Sequence, residues 1–447
     1  MPYDLAIKYA TLVEPSGAYQ AHLYVRDGRI AAIGDLEADS RQTVEAAGLH
    51  LLPGSVDGHV HFMDPGPTER EDFITGSSAA AVGGVTTVIE HTHAHPLLSP
   101  KDVTDKAVYL ADRSLVDFGL TAHVWPDTAE QVREIWEAGA SAFKVFTCTT
   151  HGVPAVLPGA MLRLFRAVAE FDGLCLVHCE DEFITEDNER RLRASGRTDG
   201  MVIPEWRTRE AEAVAVNTVA HLARLAGARV IIAHASRPQV LDYVSRERAL
   251  GARLWVESCP QYFYLEESEI AREGAFRKFT PPARSSEEAA GMWERLQSGQ
   301  ISHIQTDHAP ATREQKLEGG GDIWTPHFGL PGVETTLSMM LDGVAAGKLS
   351  LERLVRALSE TPARLHGLYP RKGSLRVGAD ADLVLVDLNQ KRLLSDDQIV
   401  SKAGWTPYAG RTVQGVPLKT YVRGQLVAED GRPAATPGTG RWVRRPS

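Results

Sequence analysis

The chain has 447 residues, of which 43% are hydrophobic and 24% charged, a balance that allows a sizeable core in one large domain or two to three smaller ones. Its formal net charge of −10 lacks the excess of basic residues that a nucleic-acid backbone demands of a partner. No apolar run approaches the ~18 residues of a membrane span, so no membrane association is expected.

The first fifty residues read as short strands. Residues 4–9 and 22–26 alternate, and Asp27-Gly28 supplies a tight turn into a further strand at 29–33. From about residue 52 to about 368, strands and helices alternate. Eight short apolar runs lie at 56–62, 85–91, 120–125, 142–146, 174–179, 230–235, 254–259 and 303–307. Between them, 131–138, 161–170, 211–226 and 289–296 show helical spacing of apolar residues. This order predicts an α/β fold with a (β/α)8 TIM barrel. A doubly wound open sheet is the alternative, but the glycine run at 319–321 follows no strand and so does not supply its phosphate-binding fingerprint. Strands return at 381–388, 419–422 and 425–429, the last two joined by Arg423-Gly424. The strand-rich ends predict a small β-sandwich domain built from both termini, residues 1–52 with 373–447, beside a catalytic barrel at 53–372.

In such a barrel the chemistry sits where the strands end. The first run ends His59-Val60-His61, and strand alternation puts both imidazoles on one side. The fourth run contains Lys144, the fifth ends near His178, the sixth near His234 and the eighth at Asp307. Singly, each has an ordinary reading: a satisfied polar histidine, an ion-paired lysine, an aspartate that caps a helix. Jointly, imidazoles, an amine and a carboxylate occupy the same relative position on several strands. Imidazole and carboxylate suit zinc, manganese, iron or cobalt, and two ions ~3.5–4 Å apart can share a hydroxide and polarise a carbonyl. An ammonium cannot ligate; burial beside two cations would deprotonate Lys144, whose amine could take up carbon dioxide as a bridging carbamate. Asp307 could ligate one ion, accept the nucleophile's proton and pass it to the leaving amide nitrogen.

The ordered segments LLPGSVDGHVHF (51–62), AAAVGGVTTVIE (79–90), SAFKVF (141–146), LVHCED (176–181), IIAHAS (231–236), ESCPQY (257–262), TPPARS (280–285), TDHAP (306–310), GLPGVET (329–335) and KGSLRVGADADLVLVD (372–387) resemble the amidohydrolase superfamily. Within it they resemble the cyclic amidases: hydantoinase and dihydropyrimidinase, allantoinase and dihydroorotase. The resemblance covers nearly the whole chain. It implies that His59, His61 and Asp307 hold one metal, that His178 and His234 hold the other, and that Lys144, as N6-carboxylysine, bridges two divalent ions, zinc first. It also implies a homo-oligomer, tetramer or dimer, acting on a small cyclic amide.

Departures from the family patterns narrow the choice. Dihydroorotases place an arginine where this chain has Met63, an asparagine where His93 stands, and a histidine at Ala311. Allantoinases place an asparagine near position 63, although Pro65-Gly66 and Asp322-Ile323-Trp324 look similar to theirs. The second half resembles hydantoinases, L-selective ones especially. Where standard dihydropyrimidinases put an oxyanion-supporting tyrosine, five residues beyond the carboxylated lysine, this chain has Thr149; another donor or the metals alone must then serve. Pro260 and Phe328 match the positions whose main chain holds the ring. The expected reaction is opening of a hydantoin or dihydropyrimidine ring to an N-carbamoyl amino acid, with allantoin opening as runner-up. A non-catalytic, metal-free scaffold of the same fold would have lost ligands, and all six positions are occupied.

Other residues read two ways. His91, His93 and His95 could reach substrate or form a polar loop wall. Arg70, in the loop 64–72, could meet an anionic substrate or pair with Glu69 or Glu71. Trp324 and Phe328 could pack on a ring or fill a loop, Cys179 reads as core, and Glu257 reads as a residue that orients a ligand histidine. The cysteines, Cys148, Cys175, Cys179 and Cys259, form no disulfide framework, and Met1 to Ala10 has no basic region followed by an apolar one. A cytoplasmic protein is expected.

Overall fold

The computed structural model describes residues 2–91, 93–126 and 129–445. The chain begins with β1 (Tyr3–Glu14), β2 (Gly17–Arg26), β3 (Arg29–Gly34), β4 (Ser40–Glu45) and β5 (His50–Pro53). β1 is longer than its alternation suggested, because it bends at Tyr9 (φ 62°), where the register to β2 shifts between Ile7 and Ala10. Its first half then pairs with β4 and its second with β5.

Eight parallel strands follow, each paired with its neighbour in chain order: β6 (Ser55–Val60), β7 (Val85–Glu90), β8 (Asp117–His123), β9 (Ala142–Phe146), β10 (Leu174–His178), β11 (Arg229–Ile232), β12 (Arg253–Ser258) and β13 (His303–Ile304). The third starts three residues before its expected position, since Asp117 already pairs with Thr87. β13 is short, and the ring is drawn together just beyond it: the His61 N–H donates to His308 O at 2.7 Å, and Val60 bridges to His308. This is the expected TIM barrel.

The helices form where apolar stripes and capping groups coincide. The helix Arg209–Ala226 opens on Thr208, whose side chain accepts from Ala211 N, and closes on Gly227 in the left-handed region. It buries Ala211, Ala215, Val216, Val219, Ala220 and Ala223, a three- and four-residue spacing. The helix Ser286–Gln297 starts with a reciprocal capping box between Ser285 and Glu288. Strand residues such as Phe118, Leu120, Phe143 and Val177 are fully buried between barrel and helices; each such side chain contributes about 1.5–3 kcal/mol by leaving water.

The chain ends in β14 (Leu383–Leu393), β15 (Thr412–Val422), β16 (Gln425–Glu429) and β17 (Arg432–Pro433). β14 pairs antiparallel with β5, so both ends of the chain share one nine-stranded sheet. The sheet curls round its own apolar cluster, which takes Leu5, Ile7, Leu23 and Val25 from one end and Leu383, Leu385 and Tyr421 from the other. The curl is held by main-chain bonds from Ile30 N to Ala379 O and Ala381 N to Gly28 O, each 2.9 Å.

A buried ionic knot ties this sheet to the barrel. Lys372 Nζ lies 2.5 Å from Asp117 on β8, 2.6 Å from Asp382 and 2.9 Å from Asp380, and Arg423 also pairs with Asp117. The lysine fills the space between three carboxylates that would otherwise suit a cation.

Candidate metal centre and its cavity

The first barrel strand delivers two imidazoles to one place. His59 is fully buried, with Nδ1 2.7 Å from Glu257 Oε1 on β12 and Nε2 3.0 Å from Lys144 Nζ and 3.2 Å from Asp307 Oδ1. His61 donates Nδ1–H to the main-chain oxygen of His91 at 2.9 Å, which leaves the Nε2 lone pair aimed at Asp307 Oδ1, 3.1 Å away. One ligand atom each from His59, His61 and Asp307 lies within 4.8 Å of the others. Beside them, His178 Nδ1 faces His234 Nε2 at 3.0 Å. The His59 and His234 ring centroids are 5.8 Å apart, so the two groups adjoin.

These separations fit metal ligation. Two ligands on one tetrahedral ion with bonds of ~2.0–2.1 Å are about 3.3 Å apart, and the nitrogen–oxygen and nitrogen–nitrogen pairs here stand at 3.0–3.2 Å. The neighbours also orient the rings as a metal requires. Glu257 Oε1 takes the His234 main-chain N–H at 3.1 Å as well as facing His59. His178 Nε2 is 2.7 Å from Glu180 Oε2, which also accepts from Thr280 Oγ1 at 2.6 Å.

Electrostatics favour ligand forms of the side chains. Burial lowers Lys144 from the ordinary lysine range, against the opposing pull of Asp307 and Glu257. Burial would raise Asp307, but the His61 hydrogen bond with His234 and Lys144 nearby holds it at about 2. Glu180 is likewise held at about 2 against burial, chiefly by Arg207 and His178. His234 (φ 34°) and Asp307 (φ 47°) both adopt left-handed backbone, a strained conformation that tends to collect at functional sites.

The group floors a cavity of about 370 Å³ lined by His61, Lys144, His178, His234 and Asp307, with Met63, His93, Phe146, His151, Phe279 and Phe328 among its walls. The volume suits a small ring. Met63, His93 and Phe328, singled out in the sequence, are among its lining residues. Trp324 does not line it; its ring packs on Trp206 at 5.0 Å, and its indole N–H donates to Arg197 O at 2.8 Å.

Two residues expected at the substrate, Thr149 and Pro260, are not among those that line the cavity. Thr149 is exposed and turned away: its N–H and hydroxyl both donate to Glu182. His151, two residues on, occupies the cavity wall instead, with a left-handed backbone (φ 53°), stacked on His93 at 5.3 Å and edge-on to Phe328 at 5.9 Å. Pro260 does not line the cavity, and its carbonyl accepts from Phe263 N at 3.0 Å as a short helix begins. Phe279 and Thr280, the latter opening the TPPARS segment, line the cavity.

The three-histidine run divides. His91 supports ligands, its ring stacked 4.8 Å from His59 and its Nε2 donating to Gly58 O at 2.7 Å. His93 walls the cavity and meets His123 Nε2 at 3.1 Å, while His95 is exposed. Glu180, Arg207 and His151 escaped the sequence reading; only the glutamate, two residues beyond a ligand histidine, carried a local signal.

Residues 50–427 match the Amidohydrolase family. An L-hydantoinase from Paenarthrobacter aurescens is 35% identical over 99% of this chain and 98% of its own. An allantoinase from Rubrobacter xylanophilus is 34% identical, over 99% and 98%. Among solved structures, an L-hydantoinase (dihydropyrimidinase) from Arthrobacter aurescens superposes with a TM-score of 0.95 at 34% identity, over 99% of this chain and all of that one.

Proposed function

The chain belongs to the amidohydrolase family, and on that footing we propose that it hydrolyses a hydantoin- or dihydropyrimidine-type ring to an N-carbamoyl amino acid. The observation that carries the reading is the convergence of His59, His61, Lys144, His178, His234 and Asp307 at one mouth of the barrel, beneath a ring-sized cavity. The relatives named hydantoinase support the choice of ring.

Two divalent cations, zinc by this reading, would be held by His59, His61 and Asp307 and by His178 and His234, with carboxylated Lys144 between them; when bound they acidify a water and polarise a carbonyl. The chain's own residues do the rest. The Asp307 carboxylate, 3.1 Å from His61, is placed to take the nucleophile's proton and return it to the ring nitrogen as the C–N bond breaks. Glu257 and Glu180 keep the imidazoles oriented. Met63, Phe146 and Phe328 shield the ring from bulk water, and His93 and His151 present polar edges. Thr280 lines the same cavity.

We read residues 53–372 as the catalytic unit and 1–52 with 373–447 as the composite β domain, in a cytoplasmic homo-oligomer, tetramer or dimer. The four buried, unpaired cysteines suit a reducing compartment, and no helix among the described residues is long and apolar enough to cross a membrane.

The test is a turnover panel of hydantoin, dihydrouracil, allantoin and dihydroorotate with metal analysis of the same preparation. Hydantoin or dihydrouracil should open at rates tied to metal content. Preference for allantoin would establish the runner-up, which the allantoinase relative favours. Preference for dihydroorotate, or well-folded protein without stoichiometric metal, would overturn the assignment.

A further inference from the structure

The cavity also holds a cation that forms no ion pair among the described residues, although the Glu69 charge acts on it from a distance. Arg70 lies in the loop after β6, partly buried, and lines the cavity. A turn fixes its main chain, Arg70 N donating to Pro67 O at 2.9 Å, and its Nε donates to Pro310 O at 2.9 Å. That leaves both terminal guanidinium nitrogens without a hydrogen-bond partner among the described residues. No carboxylate there lies within ion-pair distance of it.

The acids beside it in sequence are committed elsewhere or stand apart. Glu71 accepts from Ser401, Thr75 and Lys402, and Asp72 pairs with Lys402. Glu69 lines the cavity but is exposed and forms no ion pair with Arg70. Burial lowers Arg70 only to about 10, so it stays cationic at neutral pH. Near it are Lys316, whose Nζ donates to main-chain carbonyls, and His327; burial lowers both, and the Arg70 charge adds to it.

A partly desolvated guanidinium with free paired donors is matched by a planar oxyanion, which can take two parallel hydrogen bonds. The apolar side chains of Met63, Phe146 and Phe328 line the same cavity and suit the ring itself. We propose that Arg70 anchors a subsite for a carboxylate arm, so that the preferred substrate is a cyclic amide carrying an acidic side chain. This rests on the cyclic-amide reading above and adds the class of substituent. Glu69 at the rim is the competitor that tempers it.

The experiment compares 5-(2-carboxyethyl)hydantoin with its neutral isostere, 5-(2-carbamoylethyl)hydantoin, on the full chain. Wild-type kcat/KM should favour the acid by roughly 10- to 100-fold, the range of a charged hydrogen-bonded pair, and the ratio should shrink as salt rises. Arg70→Gln should collapse the ratio toward unity, mainly through KM, whereas Glu69→Gln should widen it. Equal kcat/KM on the two rings in wild type, or a ratio unmoved by Arg70→Gln in protein of normal melting temperature and metal content, overturns the subsite. Calorimetric binding of both compounds to wild type reads it without turnover: tighter binding of the acid supports it, and equal Kd values overturn it. Failure to open any ring while the acid still binds preferentially would sink the hydrolase reading and leave the subsite standing.

Discussion

Glu257 Oε1 on β12 lies 2.7 Å from His59 Nδ1 on β6 and also accepts the main-chain N–H of His234 at 3.1 Å. One carboxylate oxygen therefore orients a side chain of the first metal group and the backbone of the second. Exchange of Glu257 for Gln keeps the shape but replaces one carboxyl oxygen by an amide nitrogen, and Ala removes the group altogether. A residue supporting a metal ligand typically contributes 10- to 100-fold in affinity or activity. Metal titration of Glu257→Ala should show a loss of about that size, with Glu257→Gln between it and wild type; unchanged affinity in both would refute the orienting role.

Lys144 Nζ lies 3.0 Å from His59 Nε2, and the residue is almost wholly buried. Its exchange for Ala should lower turnover by at least about 100-fold and reduce bound metal per chain. Reconstitution of metal-free wild type should depend on added bicarbonate if the amine becomes a carbamate. Full activity with both metals retained in Lys144→Ala would dismiss the bridge.

Lys372 sits among Asp117, Asp380 and Asp382, which join the terminal sheet to β8. Lys372→Met leaves buried carboxylates without their cation, and breaking a buried pair in this way costs about 3–5 kcal/mol. Denaturant unfolding should register that loss. The Lys372 and Arg423 charges hold Asp117 below the usual carboxylate range despite its burial. Its stabilisation is therefore present above the unfolded-state pKa and fades as pH falls through the folded one.

Glu334 gives the opposite sign. Its carboxylate accepts N–H bonds from Val400 and Ser401 at 3.0–3.3 Å, yet burial raises it from 4.5 to about 7. The folded state then holds a proton that the unfolded chain releases. The stabilisation is complete below the unfolded value and disappears as pH rises through about 7. Relative to Glu334→Gln, wild type should lose up to roughly 3 kcal/mol between about pH 4 and pH 8, measured by parallel denaturant titrations. A difference that does not vary with pH would contradict it.

Thr149 and His151 make a paired test. Thr149→Ala removes surface hydrogen bonds to Glu182 and should leave kcat/KM within about threefold of wild type. His151→Ala opens the wall shared with His93 and Phe328, and should raise KM by about tenfold or more. The reverse order would restore the threonine to the site.

The six candidate metal-site residues stood out in the sequence because a barrel converts local pattern into position. Alternation aims His59 and His61 to one side, and parallel strands in chain order bring Lys144, His178, His234 and Asp307 to the same mouth. The cavity wall was not legible in the same way. Counting from Lys144 led to Thr149, but Glu182, 33 residues away, pulls that side chain outward. Pro260 is likewise absent from the cavity lining, its carbonyl accepting from Phe263 N in the first turn of a helix.

Residue order alone determined the strand–helix alternation, the return of strands at the end of the chain and the identities of the candidate ligands, because periodicity and strand direction are local properties that the barrel's regular geometry carries into space. Only the tertiary structure decided that His151 rather than Thr149 faces the cavity, that His91 braces His59, and that Arg70 stands there with no carboxylate in ion-pair distance among the described residues. Loop conformations follow from contacts with distant residues, and left-handed backbones such as those of His151, His234 and Asp307 are held by surroundings that no neighbouring sequence encodes.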